Sequence, residues 1–304
     1  MLTDKINRYI ELHRSLGFKF RTQAILLRNF ASFAKARNEM FVSGKCVLEW
    51  ALKAPSPQQR RNRLLTVRRL ALMLNAEDSI HQIPPANAFG SLSFKRIRPH
   101  IYTDAEINKL LAAAGELSPK GSIRPVTYVT LIALLSSTGI RISEALSLQM
   151  NDMTFDGLVI RKTKFNKSRL LPLHQTTRDG LCRYFEIRKR MGVLDNSMFV
   201  SLYGSAMKYS TVNPVFRSLT RVAGLRDELK CCTPRMHDFR HTFAVRSLEQ
   251  CKSDPKAVKR HLIALSTYLG HAHVTDTYWY LQSTPSLMKQ IASTGEKLYA
   301  GGSL

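Results

Sequence analysis

Acidic residues are scarce in this chain. Its 304 residues hold 22 Asp and Glu against 46 Lys and Arg, a formal net charge of +24 at pH 7. Both the first 90 residues and the remainder carry the excess, so no single tail is responsible. A surplus this large, spread over folded sequence, marks a polyanionic partner, with nucleic acid ahead of an anionic membrane. Cysteine is sparse too. Five residues without regular spacing argue against a disulfide framework and fit a reducing cytoplasm. Long apolar runs are missing. The N-terminus has no signal-peptide core, and the best run, Val126 to Leu135, is too short to span a bilayer and reads as a buried helix. What remains, 44% hydrophobic and 22% charged, is an ordinary globular composition in a chain long enough for two domains.

Apolar periodicity predicts a first helix over 3–16, capped by Thr3, with Ile6, Tyr9, Ile10 and Leu12 inward. A second, over 22–37, turns Ile25, Leu26, Phe30 and Phe33 inside, and a short third covers 47–52. In the run 58–74, Arg60, Arg61, Arg63, Arg68 and Arg69 alternate with Leu64, Leu65, Val67, Leu70 and Leu72. This pattern gives an apolar side and an arginine side. No acid interrupts it between Lys53 and Glu77, which favours phosphate contacts over a merely solvated face. Residues 1–90 are therefore expected to form a helical DNA-binding domain.

Pro84, Pro85, Gly90 and Pro99 then break the helical period, and Lys95, Arg96 and Arg98 make the stretch basic, so 91–102 reads as a linker touching DNA. Thr103-Asp-Ala-Glu106 is a capping box that opens a second domain, 103–304. Helices are expected at 126–136, 141–148, 176–191, 211–223, 237–250, 255–268 and 275–282. A hairpin is expected from the β-like runs 158–164 and 169–173 around Phe165-Asn-Lys-Ser168, with Lys167 and Arg169 available to DNA. Residues 285–304 form a tail with a weakly amphipathic segment. The fold class is mainly α with a small antiparallel sheet.

The chemistry concentrates in the last quarter. His237-Asp-Phe-Arg-His-Thr242, Leu269-Gly-His271 and Tyr278-Trp-Tyr280 bring together a cation, proton carriers and a phenol. Such a set suits attack on a phosphodiester, because guanidiniums stabilise the charge on the non-bridging oxygens of a pentavalent phosphorus without a metal. Other readings are open on these residues alone. Cys231 and Cys232 ahead of His237 and His241 suggest a zinc module, although adjacent cysteines lack the usual spacing. The stretch 255–282 also suits the helix-turn-helix of a catalytically silent DNA-binding protein.

Taken in order, Thr138-Gly-Ile-Arg-Ile-Ser-Glu-Ala-Leu146, Thr163-Lys-Phe-Asn-Lys-Ser-Arg169, His237 to Thr242, Leu269-Gly-His271 and Tyr280 resemble the tyrosine recombinase family, the phage integrase and Xer-type enzymes. The resemblance covers residues 103–284. It implies Arg141 and Arg240 on the scissile phosphate, Tyr280 as nucleophile, His237 as proton acceptor or relay, and His271 on the phosphate or the tyrosine. It also implies Lys164, rather than its rival Lys167, as general acid to the leaving 5′ oxygen. Glu144, one helical turn from Arg141, is expected to hold that guanidinium. The interval from His271 selects Tyr280 over Tyr278, and His241 and His273 are left structural. No metal, cofactor or ATP is required. The implied partner is double-stranded DNA at recombination sites. Four protomers would act on two sites, as a homo-tetramer or with a related recombinase, with a monomer expected for the free chain. A cytoplasmic, nucleoid-associated protein with no membrane partner is expected. A type IB topoisomerase-like enzyme is the rival within the same chemistry.

Overall fold

The computed structural model describes residues 1–90, 98–161, 168–226, 233–250, 255–270 and 277. Contacts divide the chain into two compact units, 1–96 and 97–304. The fold is mainly helical with one small sheet.

The first unit holds four helices: α1 (Leu2–Ser15), α2 (Arg21–Lys35), α3 (Gly44–Leu52) and α4 (Pro57–Glu77). Their core is Ile6 and Ile10, Leu27 and Phe30, Val47 and Trp50, and Leu64, Val67 and Leu70. Two helix faces differ from the sequence expectation. In α2 the inward positions are Ala24, Leu27, Phe30, Ala31 and Ala34, one 3.6-period face, and Ile25 lies off it at 67% exposure. Leu12 of α1 is likewise exposed, and α1 starts at Leu2 rather than after a Thr3 cap. Ser43 and Ser56 cap α3 and α4 through their hydroxyls.

The arginine face of α4 is partly committed to its own unit. Arg60 Nε donates to the Ala54 carbonyl (3.1 Å), and Arg68 Nη1 to that of Pro84 (2.6 Å). Arg63 Nη1 donates to the Trp50 carbonyl (3.1 Å), with its guanidinium over the Trp50 ring. Arg61 is half-buried, and Arg69 is exposed.

In the second unit Thr103 and Glu106 form the expected capping box at the start of α5 (Asp104–Gly115). Tyr102, just before it, is buried: its ring stacks on Phe239, and its N–H donates to Thr242 Oγ1 (2.9 Å). The apolar run becomes α6 (Ile123–Thr138), the centre of a core that includes Leu131, Leu135, Leu181, Tyr184, Phe216 and Phe239. Then come α7 (Ile142–Ala145), a 3₁₀ turn (Met150–Asp152), and the antiparallel strands β1 (Met153–Thr154), β2 (Gly157–Ile160) and β3 (Arg169–Leu171). Helices α8 (Gln175–Arg190), α9 (Tyr209–Val222), α10 (Asp238–Glu249) and α11 (Pro255–Leu269) follow.

The helix expected over 141–148 ends at Ala145. The Leu148 carbonyl and the Met150 N–H are taken by Met198 and Asn196 across a bridge, so the helical ladder cannot continue. The expected hairpin is present in its outer parts, with Leu158 opposite Leu171 and Ile160 opposite Arg169; residues 162–167 lie outside the described residues. Strand β1, two residues long, carries no periodic signal. Among the described residues no helix is long and apolar enough to cross a membrane.

Candidate active site

Helix α6 ends in a left-handed cap at Gly139, φ +61°. A Cβ there would stand 2.8 Å from Phe243 Cδ1, so glycine serves both the backbone angle and the close approach of α10. Two residues later Arg141 is the N-cap of α7. Glu144, at the third position, accepts the Arg141 N–H (3.2 Å) on Oε2 and Arg141 Nη1 (2.7 Å) on Oε1. Glu144 therefore holds Arg141 through both backbone and side chain.

Arg240 sits in the first turn of α10 and is 2% exposed. Its Nη1 donates to the Gly139 carbonyl (3.1 Å) and its Nη2 to that of Leu269 (2.6 Å). Arg141 Nη2 donates to the next carbonyl, Gly270 (3.2 Å), and Arg169 Nε to the previous one, Tyr268 (3.0 Å). Three guanidiniums thus meet three consecutive carbonyls at the C-terminal end of α11. A helix end leaves carbonyls unsatisfied and carries partial negative charge, so it attracts cations. Gly270 has a φ of +66°, and a Cβ on it would lie 2.9 Å from Arg169 Nη1.

Arg169 departs from its expected place on DNA. Its fork straddles Glu144, Nη1 to Oε1 at 3.1 Å and Nη2 to Oε2 at 2.8 Å, and its side chain is 12% exposed. Burial pushes the Glu144 carboxyl up, but the hydrogen bonds and charges of Arg169 and Arg141 more than offset this and hold it below the usual range. The physical reason for the displacement is that a buried carboxylate needs a bidentate partner.

His237 is the N-cap of α10, exposed, with its ring edge-on to His241 at 5.0 Å. Its pKa is lowered by partial desolvation first and then by Arg240, Arg235 and Arg141, against the pull of Asp238. His241, left structural by the sequence, is pushed down to about 4, by burial first and then by His237. Asp238 accepts from Arg235 Nη2 (2.8 Å) and from the Arg235 N–H (2.9 Å), and so braces the start of the motif. Tyr268 is a described tyrosine within the field of Arg169 and Arg240. Burial pushes its phenol up to about 12, and its ring stacks on Phe243, the reverse of an activated nucleophile.

The structure therefore brings Arg141, Glu144 and Arg240 together, with His237 on the same helix as Arg240. Arg98 is exposed. Lys164, His271 and Tyr280 lie outside the described residues, as do Lys95, Arg96, Lys167, Tyr278, His273, Cys231 and Cys232. Among the described residues no three His, Cys, Asp or Glu side chains converge as metal ligands. Sequence reasoning missed Arg169 as a partner of Glu144, since no local spacing links positions 25 residues apart.

Comparison with known proteins places the chain in a family. The model of the phage integrase family matches residues 101–286. The putative integrase/recombinase y4rB of Sinorhizobium fredii (strain NBRC 101917 / NGR234) is 39% identical over 298 residues, covering 94% of each chain. The tyrosine recombinase XerC of Thermodesulfovibrio yellowstonii is 26% identical, covering 83% of this chain and 80% of that protein. In fold, the chain is similar to a lambda integrase dimer bound to a COC′ core site, with TM-score 0.64, 19% identity, and coverage of 90% of this chain and 96% of that one. The chain belongs to the phage integrase family and is an enzyme of the tyrosine recombinase type.

Proposed function

We propose that the protein is a site-specific DNA recombinase, of integrase type, that cuts and rejoins strands through a 3′-phosphotyrosine on Tyr280. The observation that carries this reading is the convergence of Arg141 and Arg240 on the adjacent carbonyls of Leu269 and Gly270, directly before His271 in the chain. Two guanidiniums held this way are suited to the equatorial oxygens of a scissile phosphate. Tyr280 Oη attacks the phosphorus, and its proton passes to His237. The P–O5′ bond breaks, and Lys164 protonates the leaving 5′ oxygen. Attack by the partner strand's 5′-hydroxyl reverses the sequence and releases the tyrosine. His271 aids the phosphate or the tyrosine. The bond energy is kept in the phosphotyrosine, so neither ATP nor a metal enters these steps.

Double-stranded DNA is the partner, consistent with the charge of +24 and with DNA-bound lambda integrase. The helical unit 1–90 and the basic stretch 91–102 add DNA contacts to those of the catalytic domain, 103–304. Four protomers act on two sites, with the tail 285–304 docking on a neighbour, in the cytoplasm on nucleoid DNA. The test is a nicked suicide substrate carrying a recombination site. Wild type should form a covalent 3′ adduct and recombine paired sites, and Tyr280→Phe should bind but form none. An adduct retained by Tyr280→Phe overturns the assignment. Relaxation of supercoils without recombination would make it a topoisomerase-like enzyme.

A further inference from the structure

We infer that Arg169 is a positioning residue: it shares Glu144 with Arg141, so that Arg141 keeps its positive charge for the phosphate, and it ties strand β3 to the end of α11. This role rests on the recombinase activity proposed above.

The geometry is specific. Glu144 is 8% exposed and receives both guanidiniums. Arg169 takes its two oxygens bidentately, and Arg141 Nη1 takes Oε1 alone. A buried one-to-one pair of Arg141 and Glu144 would be neutral, and the carboxylate would compete with a phosphate for the same guanidinium. With Arg169 present, two cations face one anion and the trio carries a net positive charge. The 12% exposure of Arg169, against 25% for Arg141, leaves Arg141 the outer member.

The second link is mechanical. Arg169 Nε reaches the Tyr268 carbonyl, and its Nη1 and Cζ lie 2.9 and 3.1 Å from where a Cβ of Gly270 would fall. Residue 169 begins β3 and pairs with Ile160. One side chain thus joins α7, the sheet and α11. Glycine at 270 is what lets the fork lie so close to the backbone.

The test is single-turnover cleavage of the suicide substrate by R169M, R169K, E144Q and R169M/E144Q, with DNA affinity at several salt concentrations and thermal melting. R169M should cleave about 10²-fold more slowly, the loss expected when a catalytic group is misplaced by roughly 1 Å. Its DNA affinity and salt dependence should be unchanged. R169K keeps the charge but not the fork and should fall between R169M and wild type. Adding E144Q to R169M should restore cleavage about tenfold, because it removes the carboxylate that then neutralises Arg141. A purely structural residue would lower melting temperature without this rescue.

R169M or R169K cleaving at the wild-type rate overturns the inference. So does a double variant no faster than R169M. Weaker DNA binding by R169M, with the salt slope reduced by about one, would make Arg169 a phosphate contact instead. If R169M fails to fold, R169K decides. A wild-type protein that forms no adduct would instead remove the recombinase reading itself.

Discussion

Arg240 Nη2 lies 2.6 Å from the Leu269 carbonyl while Nη1 reaches the carbonyl of Gly139, so one buried guanidinium fastens α10 to the ends of α6 and α11. Its replacement by alanine removes the proposed phosphate ligand and leaves two carbonyls without this donor. Suicide-substrate cleavage should fall about 10³-fold or more. Melting should show a loss of about 1–3 kcal/mol for each buried carbonyl left unsatisfied. Arg240→Lys retains the charge but cannot span both carbonyls and should also be slow. Near-wild-type cleavage by either variant would take Arg240 out of the site.

Gly139 is the second constraint on that junction. Gly139→Ala places a methyl 2.8 Å from Phe243 Cδ1 at a φ of +61°, where side chains are strained. Denaturant unfolding should show a loss of about 1–3 kcal/mol. Adding Phe243→Ala should relieve the clash but not the backbone strain, so the two changes should combine less than additively. Full additivity would mean that the α6–α10 approach is not what requires glycine.

Acid should weaken the fold through His241. Its pKa is down to about 4 in the native state, against 6.5 ordinarily, because burial and neighbouring cations oppose its charge. Between these values the unfolded chain binds more protons, so the stability is full above about pH 6.5 and is lost as pH falls toward 4. His241→Gln should flatten this dependence, as read from urea midpoints at neutral and mildly acid pH. An unchanged slope would assign the acid sensitivity elsewhere.

His237 is shifted in the same direction, by burial and then by Arg240. The shift favours the neutral ring, as the proton acceptor proposed above requires. Cleavage should hold its rate down to about pH 6.5 and fall in more acid solution. His237→Gln should lower the rate and remove that acid limb. A limb that persists in the variant would report a different group.

The arginine face of α4 should divide in two. Arg61→Ala with Arg69→Ala should weaken DNA binding and lower its salt slope by about two, with melting unchanged. Arg63→Ala loses the Trp50 carbonyl and ring contacts and should destabilise the unit by about 1 kcal/mol. Equal effects of all three on binding alone would return Arg63 to the DNA surface.

Much of the architecture is written locally. The capping box at Thr103 and Glu106, the apolar period of 126–135 and the turn at Gly139 each lie within a few residues, where backbone geometry turns spacing into a face or a helix end. The inward side of α2 was misread at Ile25 because three adjacent apolar residues, Ile25, Leu26 and Leu27, leave the helix phase open until a neighbour packs against it. The short α7 was unreadable for a related reason, since the bonds that stop it come from Asn196 and Met198.

The candidate site divides the same way. The order and residue types of its motifs, and the charge that seeks a polyanion, are properties of the linear chain. Which guanidinium meets which anion is not. Arg169, on sequence grounds a DNA contact, is turned inward because a carboxylate from α7 and a carbonyl from α11 arrive at its side only on folding. Local spacing sets which chemistry a segment offers, and burial, which raises the cost of every unpaired charge, decides which partner each charge takes.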